Sequence, residues 1–323
     1  MSSVQILDVT LRDGGYRNNF QFDVKTAVEI VGRLAASGVK LIEIGYYNGS
    51  FVRKREHGLT ANVDKDYIDA VKEAASDAAS ICVMVHPHNV TNEDLSFIAS
   101  SGVHAIRVCL RDDNLRAGLT TIRAAKSLGL LVSANVIRIS EVRASRIIRM
   151  AVASSEAGAD IVCLADSNGA MLPHGVGRLV QQIASACDAS VGFHAHNHLS
   201  LALANSIAAQ ENGAEYIDCA ICGMGKGAGN LNVAMLVAYW ERTGQTHTYE
   251  LEGLLRSSHQ VASMVPTCNQ PHPLLDIQMG AYNLSIDKGP KDGSGEAGDD
   301  VFRQLQDRFK SQKTPGILRP SVV

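Results

Sequence analysis

Two histidines spaced two residues apart close an apolar run in the stretch Gly192-Phe193-His194-Ala195-His196-Asn197-His198. Side chains alternate faces along a strand, so His194 and His196 point the same way, close enough to share one ion. Neutral imidazole is the commonest protein ligand for a divalent metal. Near the start, Thr10-Leu11-Arg12-Asp13-Gly14-Gly15-Tyr16 sets a charged pair directly after another apolar run. Asp13 can supply a hard carboxylate oxygen to an ion, and Arg12 can bind a carboxylate or steady an enolate oxygen. The alternative is an Asp-Gly-Gly turn with Arg12 in a surface ion pair.

Further polar residues sit at the ends of other apolar runs. Glu43, in Ile42-Glu43-Ile44-Gly45, is a charge in an otherwise apolar strand, and buried glutamate is rare unless paired. Ser167 and Asn168, in Ala165-Asp166-Ser167-Asn168-Gly169, are short polar groups suited to substrate hydrogen bonds or to an ordinary turn. Tyr282 is a further substrate-binding candidate. His86-Pro87-His88 reads as polar residues at a rim. The loop Gly223-Met224-Gly225-Lys226-Gly227-Ala228-Gly229-Asn230 has glycine at every second position, which lets backbone approach a ligand closely, but it lacks the spacing of a phosphate loop. Lys226 there is a Schiff-base candidate, disfavoured because a glycine-flanked lysine on a loop is poorly desolvated. Cys219 and Cys222 read as packing inside one strand, on opposite faces.

The elements that must position these residues alternate. Strand-like runs cover residues 4–10, 39–45, 80–85, 105–110, 130–136, 160–165, 190–196 and 215–222. Helix-period segments cover 25–36, 65–75, 92–100, 115–128, 141–156, 175–186, 201–210 and 231–241. Several helices end at a glycine just before the next strand, the expected helix stop. Eight strand–helix units predict an α/β fold, a (β/α)₈ TIM barrel, and continuous apolar strands suit a parallel barrel covered on both faces. No Gly-x-Gly-x-x-Gly follows the first strand, which argues against a doubly wound sheet. The barrel is expected to occupy residues 1–245. Residues 246–323 are expected to form a C-terminal helical and irregular extension, helical at 251–264 and 301–310 and flexible near 287–300.

Composition narrows the function. A formal net charge of -3 without basic runs argues against nucleic acid and anionic membrane as partners. No apolar stretch reaches the roughly 18 residues of a membrane span. The first residues run straight into a strand without a signal-peptide pattern, and seven scattered cysteines suit reduced core thiols, so a cytoplasmic location is expected.

Together, the Thr10–Gly14 motif, the His194-Ala195-His196-Asn197 strand end and the glycine loop closed by Asn230 resemble the DRE-TIM metallolyase superfamily, over about residues 4–240. Within it the chain is most similar to the 4-hydroxy-2-oxovalerate aldolase branch. The resemblance implies a (β/α)₈ barrel with Asp13, His194 and His196 as ligands of a divalent metal, manganese or magnesium, and Asn230 as a further ligand. It implies that Arg12 stabilises the enolate of pyruvate, with Glu43 supporting it, and that Ser167 is a substrate-binding hydroxyl. A small 2-oxo acid and an aldehyde would be the partners, and a homo-oligomer is expected. The aldolases resembled carry a histidine three residues after the ligand aspartate, where this chain has Tyr16, which becomes the candidate proton relay. His198, His86, His88 and Tyr282 are the other candidates for the base. The residues Gly15-Tyr16 also argue against the Claisen-type synthases, which carry Arg-Asp-Gly-Glu-Gln. The lyases acting on hydroxymethylglutaryl-CoA carry a cysteine within the glycine loop, whereas Cys222 lies just before it. The tail gives no support for docking a dehydrogenase. An acyl-CoA-using Claisen enzyme and a non-catalytic metal-binding barrel are the alternative readings.

Overall fold

The structure is a computed structural model that describes residues 4–50, 56–245, 247–268 and 283–284. Eight strands alternate with helices in the order β1 (Gln5–Asp8), α1 (Val24–Ala36), β2 (Leu41–Tyr46), α2 (Lys65–Ala75), β3 (Ser80–Val85), α3 (Asn92–Ser100), β4 (Ala105–Leu110) and α4 (Leu115–Ser127). There follow β5 (Leu131–Ile137), α5 (Ala144–Glu156), β6 (Ile161–Asp166), α6 (Pro173–Ala184), β7 (Ser190–Ala195), α7 (Ala202–Glu211), β8 (Ala214–Cys219), α8 (Val233–Thr243) and α9 (Leu251–Met264). Each strand pairs in parallel with the next, and β8 returns to β1 with Leu7 opposite Asp218. The sheet is a closed (β/α)₈ barrel, as expected.

Local chemistry explains the elements. Asp23 and Asp64 accept from the backbone N–H of Thr26 and Tyr67 and so start α1 and α2, and Thr91 with Asp94 forms a capping box at α3. Glycines 38, 102, 158 and 213, all at positive φ, turn the chain from helix to strand. The strands β2, β4 and β6 are buried along their whole length, which is why they read as unbroken apolar runs.

Two strands end earlier than their apolar runs. Asp8 closes β1 because its carboxylate accepts from the backbone and hydroxyl of Thr10, and Asp13 N–H then donates to the Val9 carbonyl. The run at 215–222 breaks after Cys219 into a 3-10 turn, Ile221–Gly223, with Cys222 at φ 54. Cys219 and Cys222 therefore do not share a strand. The Cys222 thiol instead donates to the Ser258 carbonyl on α9.

Helix α9, expected as the first part of the extension, packs on α1 and α8. Just before it, the Tyr249 hydroxyl accepts from the Ile6 backbone N–H of β1 at 2.8 Å. The helix expected at 301–310 and the stretch 287–300 lie outside the described residues.

Candidate active site

The barrel interior is polar at mid-height. Glu43, Arg107, Cys163 and Asp218 come from β2, β4, β6 and β8, the alternate strands that supply one interior layer in this fold. Arg107 is 1% exposed and donates to all three of the others. Its Nη1 reaches Glu43 Oε2 at 3.0 Å, while its Nη2 meets Asp218 Oδ2 at 2.6 Å and Cys163 Sγ at 3.3 Å. Its Nε donates to Asn135 Oδ1 on β5 at 3.2 Å. Burial alone would lower the Arg107 guanidinium, but Asp218 and Glu43 outweigh it and hold it charged. Burial would likewise raise Asp218, yet Arg107 keeps that carboxyl below its usual range.

Above this layer sits the β1 end. Arg12 Nε donates to Glu43 Oε2 at 2.8 Å and its Nη1 to Asp13 Oδ1 at 2.6 Å, so one guanidinium is held by two carboxylates. For Asp13, burial pushes upward, but Arg12 and then the two imidazoles overcome it and keep the carboxylate ionised. The turn then needs Gly15, since a Cβ there would lie 2.3 Å from the Phe20 ring.

His194, at the end of β7, and His196, just beyond it, face Asp13. His194 Nδ1 lies 2.9 Å from Asp218 Oδ2, and His196 Nδ1 lies 3.2 Å from the Lys226 carbonyl oxygen. A carboxylate and a carbonyl only accept, so both imidazoles in their neutral forms carry the proton on Nδ1 and bare lone pairs on Nε2. Those two Nε2 atoms are 3.2 Å apart, with Asp13 Oδ2 3.8 Å from that of His196. Lone pairs and a carboxylate aimed at one point repel each other unless a cation lies among them. Burial holds the His196 imidazole well below its usual value, in the form that ligates metal. Asn230 adds a fourth group: its Nδ2 donates to Asp13 Oδ2 and to the Met224 carbonyl. Its buried Oδ1 has no hydrogen-bond partner among the described residues. The residues therefore fit a divalent metal ion, with each histidine oriented by a partner on its far nitrogen.

A cavity opens over this group, lined by Arg12, Asp13, His194, His196 and Lys226 on one side. The remaining wall is Tyr16, Tyr46, Met84, His86, Cys109, Asn135, Ile137, Arg138, Ala165 and Ser167. The Tyr16 and Tyr46 hydroxyls are 3.3 Å apart, and the Tyr46 ring stacks on His86. Burial, then Tyr16, raises Tyr46 well above its usual value, so it stays a protonated donor. Burial also pushes the His86 imidazole down to about 3.

Comparison with known proteins places this geometry. The family model described as HMGL-like matches residues 3–261. The chain belongs to the HMGL-like family. Among relatives, "4-hydroxy-2-oxovalerate aldolase 2" of Nocardia farcinica is 32% identical over 82% of this chain and 76% of that protein. The "4-hydroxy-2-oxovalerate aldolase" of Moorella thermoacetica is 34% identical over 75% of this chain and 71% of its own. The N-terminal domain of a putative aldolase from Bacteroides vulgatus superposes with a TM-score of 0.76 at 26% identity, covering 95% of this chain and 97% of that one. The HMG-CoA lyase from Brucella melitensis shares the fold, with a TM-score of 0.72 at 18% identity over 82% of this chain and 100% of that one.

In this HMGL-like chain the expected residues Arg12, Asp13, Glu43, His194, His196 and Asn230 converge, and Tyr16 and Ser167 line the same cavity. Asn168 does not: its amide donates to Glu141 and Asn283, away from the cavity wall. Tyr282 lies outside the described residues. His86, read from sequence as a rim residue, is 1% exposed and lines the cavity. The glycine loop approaches the protein itself, because a Cβ at Gly225 would lie 2.4 Å from Asn230 Nδ2.

Sequence reasoning missed Arg107, Asp218, Asn135 and Tyr46. Three of them had a signal, a polar residue inside an apolar run, the same one that marked Glu43. Tyr46 had none. A register shift between Glu43 and Tyr46 bulges β2, and Gly45 presses against Thr60, where a Cβ would lie 2.4 Å from the carbonyl oxygen. The bulge turns Tyr46 into the cavity although strict alternation from Glu43 would point it out.

Proposed function

We propose that this chain is a divalent-metal-dependent aldolase that makes or breaks the C3–C4 bond of a 4-hydroxy-2-oxo acid, with pyruvate and an aldehyde as its small-molecule partners. The observation that carries the reading is the pair of His194 and His196 Nε2 atoms aimed at one point with Asp13, 3.2 Å apart, in the cavity that Arg12 lines. The curated relatives' names, all 4-hydroxy-2-oxovalerate aldolases in the comparison above, point the same way. The carboxylate and the amide oxygen suit manganese or magnesium, with the two imidazoles completing the set. Bound there, it would act as a Lewis acid toward the 2-oxo group and its neighbouring carboxylate.

The chain's own residues do the rest. Arg12, fixed by Glu43, presents a charged donor where the enolate oxygen develops, a preorganised stabiliser of the kind that dominates such reactions. In the cleavage direction the 4-hydroxyl loses its proton, the C3–C4 pair passes to the enolate, and C3 is then protonated to give pyruvate. Tyr16 is the relay for the hydroxyl proton, with the Tyr46 hydroxyl next in line. Ser167 and Asn135 supply polar contacts from the opposite strands. Among the described residues the seven cysteines form no disulfide, which supports a reducing, cytoplasmic setting. We infer domain bounds of 1–245 for the barrel and 246–323 for an extension, a division that the eight strand–helix units ending at α8 support.

The test needs no knowledge of the aldehyde. Manganese-loaded protein incubated with pyruvate in D₂O should exchange the methyl protons, read by NMR, and EDTA should stop the exchange until metal is restored. Full exchange in metal-stripped protein, together with borohydride inactivation through Lys226, would overturn the metal reading. Product formation only with a CoA thioester would transfer the chain to Claisen chemistry.

A further inference from the structure

The cavity wall away from the metal ligands has two layers. Its lower part belongs to a small apolar cluster, Phe20, Tyr46, Ala61, Met84 and Cys109, with Tyr16 and Ile137 packed against it, separate from the main core. Cations flank this cluster from both sides of the cavity. Arg138 follows Ile137 at the end of β5, and Lys226 comes from the loop after β8, three strands away around the barrel. Among the described lining residues there are three cationic side chains, Arg12, Arg138 and Lys226, and one carboxylate, Asp13. Asp13 is already engaged by Arg12 at 2.6 Å, and Arg138 and Lys226 are the two further cationic side chains at the cavity wall.

Arg138 is held at its place at some conformational cost. It sits at φ 57, ψ 38, and it is the one charged residue among the non-glycine positions of positive φ in the described chain. L-residues with long side chains seldom adopt this conformation, and where it persists the surroundings enforce it, commonly at functional sites. Here the Arg138 backbone N–H donates to the Ser167 hydroxyl at 3.0 Å, and Ser167 lines the cavity too. The Lys226 ammonium lies over the Tyr16 ring, 5.3 Å from its centroid, at the group proposed to move the hydroxyl proton. Both side chains are half-buried and interact with other protein groups as well, so what matters is their position and charge at the wall.

We infer that the aldehyde partner carries an anionic group, a carboxylate or a phosphate, joined to the carbonyl by a short spacer that rests on the apolar cluster, with Arg138 and Lys226 receiving the anion. The inference rests on the aldolase reading and names the substrate class of the same cavity. A guanidinium fork matches either anion, and Lys226 adds a point charge. The anion takes no part in bond making. The new bond joins C3 of the enolate to the carbonyl carbon, whose oxygen takes up the proton, while the anion fixes the aldehyde's orientation.

The experiment pairs aldehydes matched in carbon skeleton, with pyruvate and the manganese-loaded full chain: succinic semialdehyde against butanal, and glycolaldehyde phosphate against glycolaldehyde. The anionic member of at least one pair should be favoured tenfold or more in kcat/KM, mainly through KM, and the pair that shows it distinguishes carboxylate from phosphate. Arg138→Gln should cut that preference about tenfold or more, Arg138→Lys should keep part of it, and Lys226→Met should cut it independently. Neutral aldehydes that equal or exceed their anionic partners would overturn the inference while pyruvate exchange in D₂O still stands. So would a preference that neither variant moves. If exchange itself is absent, the aldolase reading fails, and this inference falls with it.

Discussion

The two sides of the cavity are built by different physics. On the side of β1, β7 and β8, nearly every group is a charge or a ligand held by a partner: Arg12 by Glu43 and Asp13, His194 by Asp218, His196 by the Lys226 carbonyl, and Asp13 by Asn230. Arg107 ties Glu43 to Asp218 and so links Arg12 to His194 through one guanidinium. On the side of β2–β5, the wall is an apolar cluster with stacked rings, topped by Arg138. A network of charges tolerates little change, because each member removed leaves another buried and unsatisfied. An apolar wall can change shape at modest energetic cost. The first side is suited to fixing the reaction, and the second to choosing the aldehyde.

The largest test of this contrast is Arg107→Met. It would leave Glu43 and Asp218 buried without their shared partner, a loss of roughly 3–5 kcal/mol in stability. Manganese affinity should fall with it, since His194 loses its anchored carboxylate. Denaturant titration with calorimetric metal binding would read both, and a stable variant with unchanged affinity would show that the two halves of the network are independent.

Arg12→Ala comes next. It should slow pyruvate exchange by about a hundredfold or more, on the order of 3 kcal/mol for a lost oxyanion stabiliser, while manganese still binds. Equal loss of metal and rate would merge two roles that the geometry keeps apart.

Tyr16→Phe probes the border between the two sides. Losing a proton relay should slow aldol cleavage by roughly a hundredfold. Pyruvate exchange should suffer less, because it moves no proton on the 4-hydroxyl. Equal slowing of both reactions would make Tyr16 part of the enolate machinery instead.

The last test leaves the cavity for Asp8, below the site. Burial, opposed by the Thr10 hydrogen bonds, raises its carboxyl from 3.8 to about 7. The native state therefore holds a proton that the unfolded chain releases between those values. Its contribution is complete below pH 3.8 and is lost as pH rises through about 7. Asp8→Asn should flatten this decline in the metal-free protein, measured by denaturant midpoints between pH 4 and 7. A midpoint difference between wild type and variant that does not change with pH would show that Asp8 does not titrate there.

Much of this was legible in the residues. Strand alternation placed His194 and His196 together, the Arg12-Asp13 pair stood out against its apolar run, and the glycine stops located the helix ends. Glu43 stood out as a charge in an apolar strand, and the resemblance added Asn230. What could not be read was which interior residues meet across the barrel. Arg107 looks like an interruption of Ala105–Leu110 until closure brings β2, β6 and β8 around it. His86 was assigned to the rim because its spacing from Met84 and Cys82 was not followed inward. Those three residues continue one face at period two, and the cavity wall is where that face ends. Asn168 erred the other way, since a residue after a strand end is free to turn aside, here toward Glu141.

Closure of β1 onto β8 also bears on how the nascent chain meets its ion. Asp13 and Asn230, hydrogen-bonded at 2.9 Å, are 217 residues apart in sequence. Contacts of that span form late, after the entropy of a long loop has been overcome. The first strand closes on the last, and Tyr249, still further along, accepts from the Ile6 amide. Without that closure the chain offers an ion the local His194–His196 pair but not the Asp13 carboxylate. A metal held by Asp13 together with both histidines would therefore report completion of the barrel, and its binding free energy would accrue to the finished fold.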